Sequence, residues 1–150
     1  MFHHKHYISV ILYNTSDYSS SHTQQAMTHQ SAIGKLGEDL ACRFIRQKGY
    51  RVIERNYRRP LGEIDIVTVA PDGTLVIFEV KTVSGPDPRI TAEDQMTAAK
   101  LKKLKRVAEV YANTPRTQRL IKDGRGWRID LLSLTIDDKN CVVKHYENIG

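Results

Sequence analysis

Three side chains carry the clearest chemistry in this sequence: Asp65, Glu79 and Lys81. They lie in GEIDIV (62–67) and LVIFEVKTV (75–83), two strand-like runs joined by the short loop APDGT (70–74). Acidic groups are rare within apolar strands, because a buried carboxylate without a partner is costly. One carboxylate on a strand, with a carboxylate and a lysine two apart on the next, makes a cradle for a divalent metal beside a phosphate.

The loop sets an expected register. Proline presets the first corner and glycine takes a left-handed position, so Pro71-Asp72-Gly73 would pair Ala70 with Thr74. Counting back, Val67 faces Ile77, Asp65 faces Glu79, and Glu63 faces Lys81. Directly paired residues point to one side of a sheet, with Cβ atoms about 5 Å apart. Asp65 and Glu79 would then repel unless something neutralises them, and Mg²⁺ or Mn²⁺ suits oxygen ligands. Lys81 falls on the same face by strand alternation. Alternation alone also fits a solvated face, with Glu79 and Lys81 in water.

Further groups follow from helical spacing. In the stretch before the strands, Ile33, Leu36, Leu40 and Phe44 mark one apolar face, and Gly34, Gly37 and Ala41 keep the surface thin. Glu38 sits roughly 140° from Ile33, at the border of that stripe. It can look over a sheet edge toward a site, or be an ordinary solvated glutamate. In the later helical stretch Met96, Ala99, Leu104, Val107 and Tyr111 form the apolar face. Lys100 falls inside that arc, Lys103 at its margin, and Lys102, Lys105 and Arg106 outside it. Basic residues group as Arg55, Arg58 and Arg59; as Lys100 to Arg106; and as Arg116, Arg119, Lys122, Arg125 and Arg128. Such patches suit phosphate backbones. Asp130 has no obvious partner in sequence: it pairs with a nearby arginine or supports the site.

The elements that must position these groups are legible. Residues 1–27, rich in Ser, Thr, His, Gln and Tyr, read as a flexible extension, with Met27 a candidate initiator. Residues 28–150 read as one domain. A helix from Thr28 or Ser31 to Gly49 is followed by strands at 50–57, 63–69 and 75–83. A second helix opens at Thr91, with Asp94 completing a capping box, and runs to about Ala112. An exposed basic loop (114–126) precedes a central strand at 127–136 and an edge strand at 141–146. The order helix, three strands, helix, two strands predicts a mixed α/β fold, a mixed central sheet flanked by helices, with a right-handed crossover through the second helix.

Composition bounds the function. The 150 residues are 40% hydrophobic and 27% charged, which indicates a folded domain rather than a disordered chain. The net charge of +6 leans toward polyanionic partners. Cys42 and Cys141 form neither a disulfide framework nor a zinc spacing, which favours a reducing, cytoplasmic location. No apolar run approaches the roughly 18 residues needed to span a membrane.

Several blocks, in order, carry a resemblance: GKLGEDLACRFIRQKGYRVIERNYR, GEIDIV, FEVKTV, TAAKLKKLKRVAEVY, WRIDLLSL and KHYENIG. Together they resemble the YraN-like uncharacterised bacterial family over about residues 31–150. That family is similar to Holliday-junction resolvases and restriction endonucleases of the PD-(D/E)xK type. The resemblance implies a restriction-endonuclease-like core and a Mg²⁺- or Mn²⁺-dependent phosphodiesterase site. Asp65 matches the motif's first acid, Glu79 its second, Lys81 its lysine, and Glu38 the helical glutamate of the resolvase-like branch. Asp65, Glu79 and Glu38 would hold the metal, helped by a backbone carbonyl near Val80. Lys100 matches the lysine that opens the family's second helix, and with Arg55, Arg58 and Lys103 would contact nucleic acid. Two departures stand out: Ile64 replaces the proline before the first acid, and Val83 follows Thr82 where an arginine is common. The expected function is an endonuclease on structured or branched DNA, with a homodimer suited to a symmetric junction. The alternative is a non-catalytic nucleic-acid-binding protein on the same scaffold, supporting repair, recombination or uptake.

Overall fold

The computed structural model describes residues 6–12, 29–85, 93–137 and 140–150. Helix α1 (His29–Gln47) buries Gly37, Leu40, Ala41, Phe44 and Ile45 on one face. Gly37 is there because the helix nearly touches the sheet: a Cβ at this position would lie 1.9 Å from Thr82 Oγ1. Gly34 has open space around it and makes no such contact. The helix stops at Gly49, whose φ of 85° lets the Gly49 and Tyr50 amides reach back to the Arg46 and Ile45 carbonyls.

Strands β2 (Arg51–Arg59), β3 (Gly62–Val69) and β4 (Leu75–Ser84) follow as an antiparallel meander. The expected turn forms, with the Ala70 amide on the Thr74 carbonyl at 2.8 Å and Gly73 at φ 91°. The register is also the expected one, Val67 opposite Ile77. Helix α2 (Ala98–Ala112) then crosses over to β5 (Trp127–Ile136), which runs parallel to β4. Strand β6 (Asn140–Tyr146) returns antiparallel to β5. The sheet is therefore mixed, with α1 packed on one face over Phe78 and Leu132 and α2 on the other over Ile77 and Leu131.

Four details differ from the sequence reading. Residues 6–12 form strand β1 (His6–Leu12), paired antiparallel with β6. The β-branched run Ile8, Val10, Ile11 suits a strand, and it covers backbone groups that would leave β6 at the edge. The sheet order is β1-β6-β5-β4-β3-β2, so β6 is internal. Met27 and the rest of the expected extension lie outside the described residues. The second helix begins at Ala98, because Thr97 in an extended conformation caps it by accepting the Lys100 amide, and residues 93–95 form only a 3-10 turn. Thr91 is outside the described residues. Ala99 and Lys100 consequently sit in an exposed first turn rather than on the buried face, which is made by Leu104, Val107, Ala108, Tyr111 and Ala112. Finally, the basic 114–126 stretch contains a short helix, α3 (Pro115–Gln118), anchored by buried Thr117.

Candidate active site

Strand β4 changes character along its length. Its first four residues are fully buried, while Glu79, Lys81, Thr82 and Val83 are partly open. The change coincides with the end of the β3–β4 ladder at the pair Ile66 and Phe78. Beyond that pair β3 stays with β2, pairing Ile64 with Tyr57 and Glu63 with Arg58, while β4 stays with β5 out to Ser84. Two hairpin arms diverge and leave a fork. Asp65 and Glu79 therefore flank the fork rather than forming a rung, and Glu63 does not pair with Lys81, as a simple count from the turn would have it.

Asp65 closes the apex. Its Oδ2 accepts the Val80 amide at 2.7 Å, a backbone donor left without a strand partner by the divergence. Burial, then the negative charge of Glu79, push the Asp65 carboxyl up to about 7, against the opposing effect of the Val80 hydrogen bond; Glu38 adds a smaller push. Lys81 Nζ lies 2.5 Å from Glu79 Oε1. Burial disfavours the Lys81 ammonium, but Glu79 outweighs it by charge and hydrogen bond, so its pKa is raised and the side chain stays cationic.

The basic wall comes from two elements. A cleft of about 500 Å³ is lined by Glu79, Lys81 and Glu63, by Lys100, Lys103 and Met96 near and on α2, and by Arg58, Arg59 and Pro60 of the β2–β3 hairpin. A neighbouring cleft on the α1 side shares Lys81 and adds Glu38, Thr82 and Gln95. Lys81 thus borders both, and Glu38 acts on Asp65 through the fork from the opposite face of the sheet. Four of the expected residues, Glu38, Asp65, Glu79 and Lys81, act on one another at this fork, and Arg58, Lys100 and Lys103 line its cleft.

Arg55 is turned elsewhere. Its Nη2 is 2.8 Å from Asp39 Oδ1 and 3.9 Å from Glu38 Oε2, so it braces β2 against α1 instead of facing the basic cleft. The sequence offered no sign of this, since Arg55 and Asp39 are sixteen residues apart. Pro60 and Met96 carry no site signal in the sequence, because they join the cleft only through the hairpin and the turn before α2, whereas Arg59 belongs to a basic group that the sequence marks.

The donor set at the fork fits a hard divalent cation. Asp65 and Glu79 supply carboxylate oxygens, the Asp65 carboxyl being raised by burial and then by the charge of Glu79, and binding a cation would relieve that repulsion. A second group, Asp130, His145 and Glu147, also brings ligand atoms within 4.8 Å of one another. Here the donors are already used. Asp130 is fully buried and accepts from Arg128 Nε at 3.0 Å, Arg128 Nη2 at 3.2 Å and the Asn148 amide at 2.8 Å. Its Oδ2 also lies 2.8 Å from His145 Nε2. Arg128 further donates to the Tyr50 hydroxyl at 3.1 Å. Asp130 thus pairs with the nearby arginine, two residues away on the same strand face. The cluster reads as a satisfied buried network that ties the C-terminal segment to β5.

A model of the family described as "Uncharacterised protein family UPF0102" matches residues 37–134, which include every fork residue. Similar proteins include a UPF0102 protein of Alkaliphilus oremlandii, 35% identical over 121 residues, covering 77% of this chain and 95% of the relative. One from Desulfitobacterium hafniense strain Y51 is 40% identical over 112 residues, 74% and 87% of the two chains. One from Dictyoglomus thermophilum is 39% identical over 114 residues, 74% and 88%.

Proposed function

The chain belongs to the uncharacterised protein family UPF0102, and we propose that it is a Mg²⁺- or Mn²⁺-dependent endonuclease acting on structured or branched DNA. The observation that carries this is the forked β3–β4 hairpin, in which the largely buried Asp65 acts by charge on Glu79, and Glu79 with Lys81 lines a cleft walled by Lys100, Lys103, Arg58 and Arg59. A structural ion pair needs one acid and one base; two acids sharing a partly buried fork call for an additional cation. Asp65 and Glu79, with Glu38 nearby, would hold the metal, which would supply charge to the phosphate and acidify a bound water.

The remaining roles belong to this chain's own groups. Lys81, kept cationic by Glu79, donates hydrogen bonds to the attacking water and offsets negative charge building on the phosphoryl oxygens. The water oxygen forms the new bond to phosphorus, one bridging P–O bond breaks, and the water's proton ends on solvent or the leaving oxygen. Lys100, Lys103 and Arg58 hold neighbouring phosphates without reading bases. Arg55 acts indirectly, setting the position of Glu38 through α1.

One observation favours a second reading. The Lys81–Glu79 contact neutralises half of the acidic pair without a metal, as a non-catalytic DNA-binding scaffold would also show. The deciding experiment is a cleavage panel with Mg²⁺ and Mn²⁺ over four-way junctions, flaps, linear duplex and single strands, with Glu79→Ala as control. Metal-dependent cutting lost in the control supports the nuclease. Binding without cutting of any substrate selects the scaffold.

A further inference from the structure

The arm of the fork that leaves the sheet ends in a tip that the metal site does not explain. Leu61 at this tip is 41% exposed, between Pro60 and Gly62, which both line the cleft with Glu79 and Lys81. Leu61 does not itself line the cleft, but among the described residues it is the one large exposed apolar side chain whose chain neighbours on both sides do; those of Tyr7, Val110 and Trp127 do not. Two cations precede Leu61 on the hairpin: the Arg58 side chain is 76% exposed and 3.8 Å from Glu63 Oε2, and the Arg59 guanidinium lies over the Tyr57 ring at 4.6 Å.

The arm is also braced. Tyr57 packs edge-on against Tyr111 of α2 with centroids 4.8 Å apart, and the Tyr111 hydroxyl donates to Glu54 Oε2 at 2.8 Å. At Gly62 the backbone lies within ordinary van der Waals reach of α2, a Cβ there falling 3.4 Å from Val107 Cγ1. An apolar knob beside two arginines on a braced hairpin matches the chemistry of an interrupted duplex: phosphates for the cations, and the flat faces of an opened base step for the leucine.

We propose that Leu61 is a wedge that enters the base stack where a DNA duplex is interrupted, at a branch or a nick. This deepens the nuclease reading and rests on it for the DNA partner. An interruption costs less to open than a continuous stack, so the wedge selects such sites without reading sequence. The phosphodiester beside the opened step then lies over Glu79 and Lys81, in the cleft that Pro60 and Gly62 border.

The test uses the full chain without metal, so that nothing is cut, and a nicked duplex and a four-way junction carrying 2-aminopurine at the interruption. Binding by the wild type should raise the fluorescence about twofold or more as the probe unstacks. Leu61→Ser should abolish the rise while fluorescence anisotropy shows an affinity within about threefold of wild type, because phosphate contacts dominate affinity. Leu61→Met should restore it. An undiminished rise with Leu61→Ser would overturn the wedge and leave the nuclease reading standing. Failure of the wild type to bind any DNA would remove both. A Leu61→Ser change that instead alters the sedimentation of the free protein would assign the tip to a second copy of the chain and overturn the wedge.

Discussion

Asp65 Oδ2 holds the Val80 amide at 2.7 Å at the point where β3 and β4 part company. The side chain replaces one missing rung of the sheet, and so the same residue that is offered as a metal ligand also fixes the geometry of the fork. Glu79 lies one residue before Val80 on β4, which makes the position of the second acid depend on the first. Asp65→Asn can keep the Val80 contact through its amide oxygen, whereas Asp65→Ala leaves that amide unpaired.

Metal-dependent cleavage should fall by at least about a hundredfold in Asp65→Asn, Glu79→Ala and Lys81→Ala. DNA affinity measured without metal should stay close to wild type in all three. Retained cleavage by a cleanly purified Glu79→Ala protein would remove Glu79 from the chemistry.

The fork predicts a pH dependence of stability. The Asp65 carboxyl is raised from 3.8 to about 7, so the folded chain keeps a proton that the unfolded chain has released across that interval. The resulting stabilisation is fully present below pH 4 and is lost as pH rises through about 7. Metal-free protein should lose about 1–3 kcal/mol at this site between pH 5 and 8. Thermal melts across that range should show the loss in wild type and not in Asp65→Asn. Mn²⁺ titrated calorimetrically near pH 6 should release a proton, and near pH 9 should not; equal release at both would contradict the assignment.

The buried network behaves oppositely to a metal site. Asp130→Ala leaves Arg128 and His145 without their shared acceptor and should cost about 3–5 kcal/mol in denaturant melts. His145→Ala should destabilise less and leave Mn²⁺ affinity unchanged. A loss of Mn²⁺ binding in that folded variant would move the metal from the fork to this cluster.

Close packing of α1 on β4 gives a further check. Gly37→Ala would drive its new methyl into Thr82, whose Oγ1, Cγ2 and Cβ lie within 2.8 Å of the added atom's position. The expected loss is about 1–3 kcal/mol. Thr82→Ala in the same chain should recover part of it, and strict additivity of the two changes would argue against the contact. Gly34→Ala, with open space around it, should be tolerated.

Much of this protein is determined by short-range pattern. The strand runs at β2 to β6, the Pro71-Asp72-Gly73 turn with its register, and the Gly49 stop of α1 follow from alternation, glycine freedom and proline geometry, all local properties of the chain. The choice of Asp65, Glu79 and Lys81 also came from sequence, because charges within apolar strands stand out against a simple background.

Other features depended on groups far apart in the chain. That the ladder ends at Ile66 and Phe78 is set by competition between neighbouring strands, with β2 and β5 each drawing one arm away. Arg55 looked like one more phosphate contact until α1 brought Asp39 to it, and Asp130 lacked a full set of partners until β6 and the C-terminal segment folded over it. Pairing of β1 with β6 joins the two ends of the described chain. Local sequence therefore determined which groups could do chemistry, because propensity and alternation act over a few residues. Only the tertiary structure decided which of them share a site, because ion pairing, burial and the parting of two strands are settled by neighbours that the sequence keeps apart.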